Sequence, residues 1–98
     1  MALTNSQIAE LFESMAALLE SKGDLIFKIR AYQQAARTIE NLTMSLAQAV
    51  DEGQDLKKIP GIGDAISKKI AEYVIIGRVS AYEKLKSADS KQFSGRSP

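Results

Sequence analysis

Ninety-eight residues, 45% hydrophobic and 6% aromatic, suffice for one small domain with one modest core. The chain has no cysteine and no histidine, which excludes disulfides, thiol nucleophiles, thiolate or imidazole metal sites and histidine acid–base chemistry. The net charge of +1 hides an asymmetry: residues 1–53 hold four Lys/Arg against seven Asp/Glu (−3), and residues 54–98 hold nine against five (+4). Phosphate binding follows local cation density, so the second half is the place to look for it.

Much Ala, Leu and Ile, with no convincing period-2 alternation, predicts packed helices and no strands. The start, Met1-Ala2-Leu3-Thr4-Asn5, lacks the basic and apolar regions of a signal peptide, and no apolar run approaches bilayer length. The expectation is a protein neither secreted nor embedded in a membrane. Thr4 and Gln7 form a capping-box pattern ahead of a stripe of Ile8, Leu11, Phe12, Met15, Leu18 and Leu19, stopped at Gly23. Asp24 is placed to cap a second helix from about Leu25 to Asn41, with Leu25, Ile29, Tyr32, Ala36 and Ile39 inward. Lys28 lies one turn before Tyr32 at the stripe's edge, while Arg30 and Arg37 point toward water or toward phosphate. A short helix from about Ser45 to Asp51 ends at Gly53.

The most informative stretch follows. Gln54 to Ile59 reads as a short helix, which Pro60 must end because it lacks an N–H and disfavours helical geometry at Ile59. Gly61 and Gly63 are expected to take positive φ and to permit close backbone approach. A second helix runs from about Asp64 to Ile76, with Ile66, Ile70, Tyr73 and Val74 inward and Gly77 closing it. Its first N–H groups have no intrahelical partner and sit at the positive end of the macrodipole, which makes an anion site. Lys57, Lys58, Lys68 and Lys69 flank that site in sequence. Taken alone, the corner also reads as an ordinary turn with solubilising lysines; the lysine pairs and the helices on both sides favour the helix-hairpin-helix reading. Ser80 caps a last short helix, Ala81 to Lys86, and residues 87–98 are small and polar, as expected of a disordered tail.

Two stretches together, Phe27-Lys28-Ile29-Arg30-Ala31-Tyr32-Gln33-Gln34-Ala35-Ala36 and Lys57-Lys58-Ile59-Pro60-Gly61-Ile62-Gly63 through Gly77, resemble the N-terminal domain of family X DNA polymerases, the DNA polymerase beta-like lyase domain. The resemblance covers about Ile8 to Lys86. It implies an all-α, compact bundle of four to five short helices over residues 1–86. It also implies a monomer that grips gapped or nicked DNA at a 5′ phosphate without reading sequence, in the cytoplasm (bacterial nucleoid) or nucleus. The family's Schiff-base lysine, which opens a 5′-deoxyribose phosphate by β-elimination, falls on Lys69. At the margin of the inward stripe, partial desolvation and the neighbouring Lys68 and Lys57 are expected to favour its amine form.

The family's phosphate ligands carry over to Lys28, Tyr32 and Lys57; its histidine before Lys28 is Phe27 here, and its lysine early in the last hairpin helix is Ala65. Lys68 is the residue placed to restore part of that charge. The DNA-binding set is therefore Lys28, Tyr32, Lys57, Lys58, Gly61, Ile62, Gly63 and Lys68. No organic cofactor is expected; the family's monovalent cation (Na or K) maps to the backbone carbonyls of Lys57, Ile59 and Ile62. Neither an Asp-x-Asp pair nor the length for a polymerase palm is present, so no DNA synthesis is expected from this chain. The alternative is a helical protein–protein adaptor without catalysis, docking through an apolar patch around Val74, Ile75 and Ile76.

Overall fold

A computed structural model describes residues 3–95 of the chain as an all-α bundle of five α-helices and one 3₁₀ turn, with no strand among the described residues. α1 spans Asn5–Ser21, and both arms of its capping box form: Gln7 N–H donates to Thr4 Oγ1 at 3.1 Å and Thr4 N–H to Gln7 Oε1 at 2.8 Å. At its other end Gly23 takes φ +72°, Gly23 N–H donates to Glu20 O, and Asp24 N–H reaches back to Leu19 O. That is the paired-bond left-handed termination expected of a glycine after a helix.

α2 spans Ile26–Glu40 and makes the most extensive helix pair with α1. The buried Ala35 and Ala36 keep the facing surface flat, and the Phe12 and Tyr32 rings stack at 5.9 Å between centroids. Two expectations fail at its start. Asp24 does not cap the helix; its Oδ1 accepts from Leu25 N–H, one residue early, and Leu25 itself takes the cap position with no side-chain bond. Leu25 is 58% exposed rather than inward, because a cap residue stands off the helical stripe.

α3 spans Leu46–Asp51 and is capped by Ser45 Oγ, which accepts from Gln48 N–H. Its glycine stop, Gly53, uses up Gln54, whose N–H bonds Ala49 O. The expected helix from Gln54 to Ile59 is therefore reduced to a 3₁₀ turn, Leu56–Lys58, between the Asp55 cap and the extended Ile59 that Pro60 imposes. α4 spans Asp64–Ile76 and ends on the left-handed Gly77. α5 spans Ser80–Gly95, so the backbone stays helical beyond Lys86 instead of becoming a tail there; no Gly or Pro interrupts the chain between Ser80 and Gly95. Ser80 starts α5 but does not cap it: its N–H and hydroxyl both donate to Glu72 Oε2, at 3.0 and 2.6 Å, so a carboxylate from α4 caps α5. Residues 96–98, the end of the expected tail, lie outside the described residues.

One cluster, from Ile8 on α1 to Val79 before α5, forms the core, and Leu56, Ile62, Ile66 and Ile70 tie the hairpin into it. No helix among the described residues is long and apolar enough to cross a membrane. Asn5, which sequence reasoning left without a role, holds the two ends of the first half together. Its Nδ2 donates to Met44 O at 2.6 Å and its Oδ1 accepts from Leu46 N–H at 3.0 Å. Asn5→Ala removes both, and each net bond is worth about 1 kcal/mol. The thermal midpoint is expected to fall by several degrees, measured by circular dichroism.

Candidate nucleic-acid interface

The hairpin corner is built by Gly61, which sits at φ +92°, a region only glycine enters without strain. A Cβ there would lie 2.7 Å from Thr38 Oγ1, so Gly61 also lets the corner seat directly on α2. Gly63 behaves differently from expectation: its φ is −90°, and a Cβ on it would meet nothing within 4 Å. Its small size leaves the outer side of the corner open instead of shaping the turn.

Ile62 N–H donates to Ile59 O at 3.0 Å, and the Ile62 side chain is buried. Ile62 is therefore a core anchor with a spent amide, not a free donor. The amides of Gly61, Gly63, Asp64, Ala65 and Ile66 have no acceptor among the described residues. Gly61, Gly63 and Asp64–Ile66 line a hollow with Arg30, Ala31 and Gln34 of α2. Unpaired N–H groups at a helix start beside a guanidinium make an anion-binding concavity.

The hairpin lysines are not bare. Lys57 Nζ is 3.7 Å and Lys68 Nζ 3.3 Å from opposite oxygens of Asp64, in the first turn of α4. Lys68 is therefore engaged with Asp64 and leaves the charge lost at Ala65 unreplaced. Lys57 is in the same position. Lys58 is exposed beside them. The carbonyls of Lys57 and Ile62 accept no hydrogen bond among the described residues, while that of Ile59 accepts one. No group of His, Cys, Asp or Glu suited to a metal occurs among the described residues, so any cation at this turn would be held by neutral carbonyls.

A second hollow gathers Lys28 and Tyr32 of α2 with Met15 and Leu19 of α1 and Ala81, Lys84 and Leu85 of α5. Tyr32 is its floor. Half-buried Lys69 places Nζ 5.9 Å from the Tyr32 ring centroid, so α2 and α4 bring the candidate nucleophile to this residue. Lys28 also touches Asp24 Oδ2 at 3.7 Å. Sequence reasoning gave Lys84 no role; its spacing from the inward Ala81 and Leu85 is the signal that puts it on their side of α5. Arg30 was likewise left facing water or phosphate, and only the packing of the hairpin on α2 assigns it to the first hollow.

Residues 3–79 match the helix-hairpin-helix domain. The chain belongs to that family. Over 78 residues it is 36% identical to the DNA polymerase/3′-5′ exonuclease PolX of Bacillus subtilis (strain 168). The match takes in 80% of this chain and 13% of that protein, so the resemblance to a domain of a family X polymerase holds while the chain spans a small part of its relative. The matched segment includes both hollows except for the α5 wall that carries Lys84.

Glu72, one turn beyond Lys69, is held below the ordinary carboxylate range first by the Ser80 hydroxyl, then by the Ser80 N–H, with Lys69 and Arg78 adding to the effect. A depressed carboxyl contributes stability that is complete above its unfolded value and is lost as pH falls through the folded one. Ser80→Ala is expected to move the Glu72 titration upward, and Lys69→Ala to move it less; carboxyl-detected NMR reads both. At the corner itself, Gly61→Ala is expected to cost about 1–3 kcal/mol in denaturant unfolding. Thr38→Ala should recover only the contact part of that loss. Gly63→Ala should leave stability within about 0.5 kcal/mol of the parent.

Proposed function

We propose that this helix-hairpin-helix domain binds DNA through its sugar-phosphate backbone, without base preference, and docks on gapped or nicked duplexes that present a 5′ phosphate. The observation that carries the reading is the row of unpaired amides from Gly61 to Ile66, facing a hollow shared with Arg30. Lys28, Tyr32 and Lys84 supply a second anion seat for the 5′ phosphate. Backbone grip through amides and cations gives affinity without sequence information. Fluorescence anisotropy with gapped duplexes tests it: log affinity should fall linearly with log salt, and a 5′ phosphate should bind more tightly than a 5′ hydroxyl. Lys28→Ala should abolish that 5′ preference while retaining salt-dependent binding. Equal binding of an uncharged polymer would overturn the reading.

Lys69 supports lyase chemistry at the same place. Its neutral amine adds to C1′ of the open-chain aldehyde of a 5′-deoxyribose phosphate, and water leaves as the imine forms. Loss of a C2′ proton then breaks the C3′–O bond, releases the downstream strand with its own 5′ phosphate, and leaves a sugar imine that water hydrolyses. Borohydride trapping on that substrate should give a covalent adduct with the parent chain and none with Lys69→Ala. A monovalent cation at the carbonyls of Lys57, Ile59 and Ile62 would fix the corner's shape without adding a protein charge.

A second reading, protein docking, draws on Ile75 and Ile76, which are 72% and 61% exposed at the end of α4. Val74, expected in the same patch, is half-buried against the core. Ile75→Ser should leave DNA affinity unchanged; a loss there would tie this face to the DNA.

A further inference from the structure

We propose that the first turn of α2 is a nucleobase wedge, in which Phe27 stacks on an unpaired base where a DNA strand is interrupted. This rests on the DNA-binding reading above. Leu25, Ile26 and Phe27 are consecutive, large and apolar, and they are 58%, 60% and 69% exposed. The other large apolar residues of α2, Ile29, Tyr32 and Ile39, are buried. The fold itself gains nothing from this choice. Leu25 stands at the helix cap, where Ser, Thr, Asp or Asn would bond the free amides and Leu makes no side-chain bond. A local rule broken without an internal return points to an external partner.

The position names that partner. Lys28 follows Phe27 directly and lines the hollow against α1 and α5, while Arg30, one turn beyond Phe27, lines the hollow against the hairpin. A strand with phosphates in both hollows crosses the first turn of α2, and what lies between two phosphates is a sugar and its base. The nearby acid, Asp24, is engaged by Lys28, so no unpaired negative charge among the described side chains guards the approach. An aromatic ring stacks on any base, since every base has a π-face, and apolar neighbours such as Leu25 and Ile26 shield the edges of an unstacked step. In continuous duplex both faces of each base are already covered. The wedge therefore separates interrupted from continuous DNA, a distinction that phosphate contacts alone make poorly.

The chain contains no tryptophan, so Phe27→Trp introduces a single indole reporter. On a duplex with a one-nucleotide gap and a 5′ phosphate, its emission should be quenched over the same DNA concentrations that raise the anisotropy of labelled DNA. On continuous duplex, binding should proceed without quenching. Phe27→Ala should bind gapped DNA about tenfold more weakly, the equivalent of one lost stacking contact, and continuous duplex within about twofold. Phe27→Tyr should bind as the parent does. Binding of Phe27→Trp to gapped DNA without quenching, or equal losses on both DNAs for Phe27→Ala, would overturn the wedge and leave DNA binding standing. Self-association of the parent that Phe27→Ala abolishes, with gapped-DNA affinity intact, would assign the face to a second copy instead. Failure of the parent to bind either DNA would remove the underlying reading as well.

Discussion

The seating of Gly61 on Thr38 is the contact from which the rest of the interface follows. The Pro60-Gly61 corner can lie against α2 only because no Cβ stands at residue 61, and it can turn there only because φ +92° is open to glycine. With the corner in place, Ile62 drops into the core and Ile66 and Ile70 follow on the inner side of α4. That fixes the direction of α4, carries Lys69 over Tyr32, and leaves the first amides of the helix facing the outer flank of α2. α2 is thus a wall shared by two anion-binding hollows. Its inner edge gives Lys28 and Tyr32 to one, and its outer flank gives Arg30 and Gln34 to the other.

Much of this was legible in the chain. The stripe of α1, its capping box, the glycine stops at 23, 53 and 77 and the α4 boundaries all follow from spacing and cap chemistry, since those signals act within a turn or two of the residue concerned. What could not be read depended on partners distant in sequence. Asn5 bonds a loop some forty positions away, the Ser80 hydroxyl turns to a carboxylate on α4, and Lys57 and Lys68 converge on one aspartate. Each of these side chains is flexible and polar, so local pattern leaves its direction open. The difference between the two glycines is of the same kind: Gly61 is defined by Thr38, which lies on another helix, and Gly63 by the empty space outside it. The length of α5 was misread for another reason, because small polar residues without a breaker are compatible with either helix or coil.

Asp64 bears most directly on how tightly the corner can hold an anion. A carboxylate in the first turn of α4 is favourable for the free helix, since it meets the positive end of the macrodipole and engages Lys57 and Lys68. The same carboxylate repels a phosphate arriving at those amides, and its two lysines must loosen before they can serve the DNA. At exposed positions such pairs are worth only about 0–1 kcal/mol each, so they exchange readily once a strand is present. The hairpin is therefore a weak, fast grip whose strength is shared with its own salt bridges. The hollow at Lys28 is arranged otherwise: a tyrosine floor, apolar walls from Met15 and Leu19, and cations on two helices. Low polarity around a phosphate strengthens each charge contact. Physical chemistry thus divides the labour within one small domain, a permissive corner for backbone anywhere along a duplex and a drier seat that rewards a strand end.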